Sequence, residues 1–152
     1  MKCFISVIIL GVLFTITSLA QPIKDDAVPG AISQAFKQKF PSAIKPEWKI
    51  RKDKNYETEF TENSIKLTVK FSPDGKWLET KSGIDGKSVP EAVKNAIARD
   101  FSSYKITESQ SIEAAGSNET VYEIHVKKDK EVLKLHYSKE GKLLKQSGKK
   151  AK

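Results

Sequence analysis

The chain reads as an α+β protein: a tandem duplication of a helix-plus-four-strand unit, forming one antiparallel sheet with helices on one face and the other face open. Three observations predict this. Val28-Pro29-Gly30-Ala31-Ile32 returns 61 positions later as Val89-Pro90-Glu91-Ala92-Val93, and Ala35, Phe36 and Phe40 return as Ala96, Ile97 and Phe101. Beyond the helix the offset becomes 66, so that Tyr56-Glu57 returns as Tyr122-Glu123 and residues 67–71 return as 133–137. Within each copy, the apolar positions first follow a helical period and then a period of two.

The elements follow in order. Ile32, Ala35, Phe36 and Phe40 lie on one face of a helix, as do Val93, Ala96, Ile97 and Phe101. Pro29 and Pro90 suit the first helical turn, where a missing N–H costs nothing, and Pro41 closes the first helix. A strand is expected near residues 47–51, where Trp48 and Ile50 alternate with charge, with a weaker counterpart near 106–114. Tyr56, Thr58, Phe60, Leu67, Val69 and Phe71 point inward from a hairpin whose other side carries Glu57, Glu59, Thr68 and Lys70. In the second copy, Tyr122, Ile124, Val126, Leu133, Leu135 and Tyr137 point inward, and Glu123, His125, Lys127, Lys134 and His136 point outward. Turns at Pro73-Asp74-Gly75 and Glu140-Gly141 lead to last strands holding Trp77-Leu78 and Leu143-Leu144. The five extra residues of the second copy fall at 114–120 and read as a longer loop. A unit of about 60 residues buries too little apolar surface to stand alone, so the two halves are expected to share a core.

The domains are then a cleaved leader (1–20), repeat one (26–84) and repeat two (85–146) in one structural domain, and a basic tail (147–152). Lys2 followed by an apolar stretch and Ser18-Leu19-Ala20 reads as a secretory signal peptide cleaved between Ala20 and Gln21. The expected location is periplasmic or secreted, with no membrane-spanning segment beyond the leader. With 152 residues, the chain excludes a large multidomain enzyme. Its single Cys excludes an intramolecular disulfide or a Cys-based metal site. A formal charge of +8 favours anionic partners.

Val28-Pro29-x-Ala31, Phe40-Pro41-x-Ala43, Trp48, Tyr56-Glu57-x-x-Phe60, Asp74-Gly75-x-Trp77-Leu78-Glu79-Thr80, Val89-Pro90-x-Ala92-Val93 and Tyr122-Glu123 carry a resemblance. Together they resemble the PepSY-like secreted proteins of Gram-negative bacteria, grouped with β-lactamase-inhibitor-protein-like folds. The resemblance covers about residues 26–146. It implies the tandem helix-plus-four-strand fold, an exported location and no known catalytic activity; the link to protease or β-lactamase inhibition is one of fold, and fold does not fix function. Asn63-Ser64 departs from the family's usual Asn-Gly, and Phe101-Ser102-Ser103-Tyr104 lacks its usual Pro and Gly.

The residues offer little to catalysis. Nucleophilic hydrolysis needs Ser, Cys or Thr beside an oriented base, and no Gly-x-Ser-x-Gly is present. If Val126 pairs with Leu133, Glu123 lies opposite His136 as Glu57 lies opposite Lys70, a pattern of cross-strand charge pairing. A metal held by Glu123, His125 and His136 would require diagonal neighbours on a flat sheet, a poor tetrahedral set, so neither metal nor cofactor is expected. Glu57 and Glu59 share a face with no cleft implied, and Asp74-Gly75 lacks the oxygen series of a calcium loop. Nucleic acid is excluded as a partner by export and by the lack of an aromatic stacking platform.

What remains is a non-enzymatic binding module. The candidate partner-binding face carries Lys66, Lys70, Trp77, His125, Lys134 and His136. The expected partner is an envelope or secreted protein, such as a hydrolase that it inhibits. The alternative is an anionic glycan or lipid headgroup held by the lysines.

Overall fold

The computed structural model describes residues 21–150; the expected leader over 1–20 and the last two residues of the basic tail lie outside the described residues. The elements run β1 (Gln21–Ile23), a 3-10 turn (Asp25–Ala27), α1 (Gly30–Lys39), β2 (Ile44–Ile50), β3 (Tyr56–Glu62), β4 (Ile65–Phe71) and β5 (Trp77–Gly83). They continue with α2 (Glu91–Asp100), β6 (Lys105–Ala114), β7 (Val121–Lys128), β8 (Glu131–Tyr137) and β9 (Leu143–Lys150). The nine strands form one antiparallel sheet in chain order, from β1 at one edge to β9 at the other. The chain is thus α+β.

Each helix begins as its proline dictates, although one position later than expected. Pro29 and Pro90 are N-caps with ψ of 139° and 142°, outside the first turn. The fixed φ of proline suits this extended cap, whose carbonyl accepts the first helical N–H, as Pro29 does from Ile32 and Ser33. Ile32 and Phe36 of α1, and Val93, Ala96 and Ile97 of α2, are buried against the sheet.

Both helices lie on the same side of the sheet. Cross-strand partners share a face, and one row runs Phe60, Leu67, Ser82, Ser111, Tyr122, Tyr137 from the α1 half to the α2 half. Phe60 and Leu67 belong to the cluster around α1; Tyr137 belongs to the cluster around α2, with Tyr122 packed against it. These clusters are separate, which corrects the expectation of one shared core. On the helix side, the central strands β5 and β6 carry Thr80, Ser82, Ser109 and Ser111, whose small polar side chains add little apolar area between the clusters. The halves are joined by the β5–β6 ladder, which pairs Glu79 to Gly83 with Ala114 to Gln110.

Two further expectations are corrected, and one strand is added. The five extra residues do not mainly lengthen a loop: β6 is ten residues long where β2 is seven. The basic stretch from 147 is not a tail up to Lys150, because β9 continues to that residue and pairs with β8 as far as Glu131. Edge strands rich in lysine resist pairing with other chains, so positive charge here is compatible with a strand. The short β1 covers Trp48 to Ile50 and was not anticipated, since Gln21-Pro22-Ile23 is too brief for a periodic signal.

The departures from the family's turn residues have a local cost. Glu62 pairs with Ile65, leaving the two-residue loop Asn63-Ser64, and both residues have positive φ, 50° and 64°. That is the geometry of a type I′ hairpin, in which a side chain at the second position crowds its own carbonyl. Replacing Ser64→Gly is expected to stabilise the protein by about 0.5–1 kcal/mol in urea unfolding, the relief of strain exceeding the entropy gained by the unfolded chain. A variant of equal or lower stability would refute this account of the turn.

Gly75 and Gly141 have φ of 84° and 80° and bring their turns onto the first turns of the two helices. A Cβ on Gly141 would collide with the Ala92 carbonyl oxygen, and one on Gly75 would stand 3.0 Å from that of Ala31. Close helix–turn contact therefore requires glycine at both positions. Among the described residues, no helix is long and apolar enough to cross a membrane.

Candidate functional site: the charged open face

The face opposite the helices is lined by the alternate residues of β2–β9. On the α1 half most of its charges are paired, although Glu47 stands directly opposite Glu59 and has no ion-pair partner among the described residues. Glu59 accepts from Lys49 at 2.7 Å and from Lys66 at 3.1 Å, Lys70 bonds Glu79 at 3.2 Å and Arg51 approaches Glu57 at 3.5 Å. Glu57 does lie opposite Lys70 in register, but Lys70 turns to its other neighbour, Glu79. The Lys49 hydrogen bond is the main force holding the Glu59 carboxyl below the usual range against partial burial, with Lys66 adding to it.

The α2 half holds a different arrangement around Glu123, which is only 3% exposed. Lys81 Nζ donates to Glu123 Oε2 at 2.8 Å, His136 Nε2 lies 2.9 Å from the same oxygen, and His125 Nε2 lies 2.8 Å from Oε1. Burial pushes the Glu123 carboxyl up, but the hydrogen bonds from Lys81 and His125 and the charges of Lys81 and His136 prevail and hold it at about 2. His125 Nδ1 also meets Glu108 Oε2 at 2.9 Å. An ionised carboxylate only accepts, so the two bonds of His125 are satisfied together when both ring nitrogens carry protons.

This cluster can store and orient charge. Both carboxylate oxygens of Glu123 are occupied by nitrogen donors, one of them a lysine ammonium that opposes a cation. No group of three or more His, Cys, Asp and Glu side chains suited to a metal ion occurs among the described residues.

Of the residues expected on the partner-binding face, Lys66, Lys70, His125, Lys134 and His136 share it. Trp77 does not. It lies opposite Phe71 on the helix side, packs against the α1 cluster, donates its indole N–H to Thr80 Oγ1 at 2.9 Å and lies 4.3 Å beneath Lys39 Nζ. The reason is a bulge: Lys70 faces Glu79 while the next residue, Phe71, faces Trp77, and the extra residue reverses the alternation. Sequence reasoning missed Lys81, which is 42 residues from Glu123 and reaches it only because β5 and β7 flank β6. The signal was the open-face alternation of β5 itself, since Glu79 and Lys81 are two apart.

A family model described as "Putative beta-lactamase-inhibitor-like, PepSY-like" matches residues 15–68 and 54–145. Solved structures share the fold. A protein described as putative periplasmic from Bacteroides eggerthii superposes with a TM-score of 0.73 at 23% identity, over 80% of this chain and 88% of its own. A DUF2874 family protein from Bacteroides ovatus gives 0.71 at 22%, over 79% and 86%. A BLIP-like protein from Bacteroides fragilis gives 0.66 at 21%, over 79% and 85%. No curated protein matches the chain in sequence.

Proposed function

Because the chain belongs to the PepSY-like, putative beta-lactamase-inhibitor-like family, we propose that it is a non-enzymatic, exported binding module that docks a protein partner on the open face of its sheet. An inhibitor or regulator of an envelope hydrolase is one form of this role. The observation that carries the reading is the open face itself. One side of the sheet is covered by two helices; the other presents side chains on eight successive strands, held in place by cross-strand ion pairs. Side chains fixed before binding lose less entropy on docking.

The same reading includes a leader cleaved at Ala20/Gln21 and a duplicated unit spanning 26–84 and 85–146. Export is supported by the description of the Bacteroides eggerthii protein as "putative periplasmic". Duplication is supported by the two overlapping family matches and by helices of ten residues that each follow a proline cap.

The test is capture of a partner from an envelope extract by residues 21–152, followed by lysine-acetylation footprinting of the complex. Lys66, Lys70, Lys81 and Lys134 are expected to be protected, while Lys37 and Lys94 on the helices stay reactive. Trp77→Ala should leave affinity unchanged. Protection of the helix lysines alone would refute docking on the open face.

A further inference from the structure

The open face carries its charge unevenly. On β2–β5, Lys49, Arg51, Lys66 and Lys70 each have a carboxylate within 4.0 Å. On β6–β9, the exposed Lys105, Lys127, Lys134 and Lys145 share the same face, and none has such a partner among the described residues. The acids on that half, Glu108 and Glu123, are engaged by His125, His136 and Lys81.

The four lysines form an oblique band. Lys105 stands directly opposite Lys127 on β6 and β7; Lys134 follows on β8 and Lys145 on β9, each displaced by two residues along the strands. Like charges directly opposite one another destabilise a sheet. The other half shows that cross-strand neutralisation is available in this fold, so the uncompensated charge works against folding without a folding benefit. A local conflict of this kind marks a functional surface.

We propose that this band is the docking site for an extended, acidic segment of the partner protein, a proposal that rests on the open-face docking reading above. Complementary charge defines the occupant, and spacing defines its form. Diagonal same-face neighbours on adjacent strands are about 7–8 Å apart. Side chains on one side of an extended peptide recur about every 6.6–6.8 Å. Carboxylates on alternate residues therefore keep step with Lys127, Lys134 and Lys145, and Val132, opposite Lys127 and 40% exposed, offers an apolar contact within the band. The segment crosses the strands obliquely on the face and does not add to an edge.

The probe is a synthetic peptide of about twelve residues alternating Glu and Thr, long enough to span the band, with a Gln-Thr peptide as control. Residues 21–152 are titrated with each at low salt and followed by two-dimensional NMR. The Glu-Thr peptide is expected to shift Lys127, Lys134, Lys145 and their neighbours, and the Gln-Thr peptide to have no effect. Lys134→Glu with Lys145→Glu should weaken binding at least tenfold, whereas Lys37→Glu with Lys87→Glu, the same change in net charge elsewhere, should weaken it less than about twofold. A folded spectrum for each variant separates lost binding from lost structure.

Equal weakening by both pairs, or shifts confined to the helices, would overturn the proposal. So would tighter lysine-dependent binding of polygalacturonate or of phosphatidylserine vesicles than of the peptide. A captured partner that footprints on the open face but ignores Lys134→Glu with Lys145→Glu would sink this inference and leave the docking reading intact. A partner that footprints on the helices would sink the docking reading, and with it the role assigned to the band.

Discussion

Phe36→Ala is expected to destabilise the protein by about 4 kcal/mol, the range seen when a large aromatic side chain is removed from a packed core. Phe36 is the hub of the α1 cluster. Its ring centroid lies 5.0 Å from Phe60, 5.2 Å from Trp48 and 5.7 Å from Phe40, and 6.5 Å from Phe71. The contacts with Trp48, Phe60 and Phe71 are edge-on, the geometry that aromatic quadrupoles favour. These partners come from β2, β3 and β4, so no single neighbour can relax to fill the space. The loss should also be uneven, because the α2 cluster is separate and linked mainly through the β5–β6 ladder. Hydrogen exchange of the variant should show faster opening of the Val69 and Phe71 amides with Val126 and Leu135 still protected. Uniform acceleration in both halves would show that the sheet makes the molecule one cooperative unit despite its two clusters.

Glu123→Gln is expected to cost about 2–3 kcal/mol at neutral pH, because it leaves Lys81, His125 and His136 facing an uncharged amide in a partly buried site. The partial exposure of Lys81 keeps the cost toward the low end. The acid limb is the sharper test. The Glu123 carboxyl titrates at about 2 in the folded protein against an ordinary value of 4.5. A lowered folded value means that the unfolded chain binds the proton first as pH falls. The contribution is therefore full above about pH 4.5 and is lost as pH falls toward 2, amounting to about 3 kcal/mol at most. Urea unfolding of wild type and Glu123→Gln at a series of pH values should show their stability difference shrinking across that window. A difference independent of pH would mean that Glu123 acts by packing and not by charge.

Local order was legible wherever a short period carries it. Ile32, Ala35, Phe36 and Phe40 announce a helix because side chains three and four apart share one side of it, and Ile124, Val126, Leu133 and Leu135 announce strands because alternate residues share a face. Their register entered only as a condition: if Val126 pairs with Leu133, Glu123 lies opposite His136, and the strands do pair in that way. The sequence by itself determined the two helices, the hairpins, the sharing of one face by His125, Lys134 and His136, and the family resemblance that the family match now establishes. Only the tertiary structure decided which ion pairs form and which face Trp77 takes. Lys81 meets Glu123 across the β5–β6–β7 array, a contact between residues 42 apart that no local period encodes. Trp77 sits with the helices because one bulge shifts the alternation of β5 by a residue. Two cores form instead of one because β5 and β6 bring Thr80, Ser82, Ser109 and Ser111 together between the clusters, a polar seam that exists only once those strands are paired.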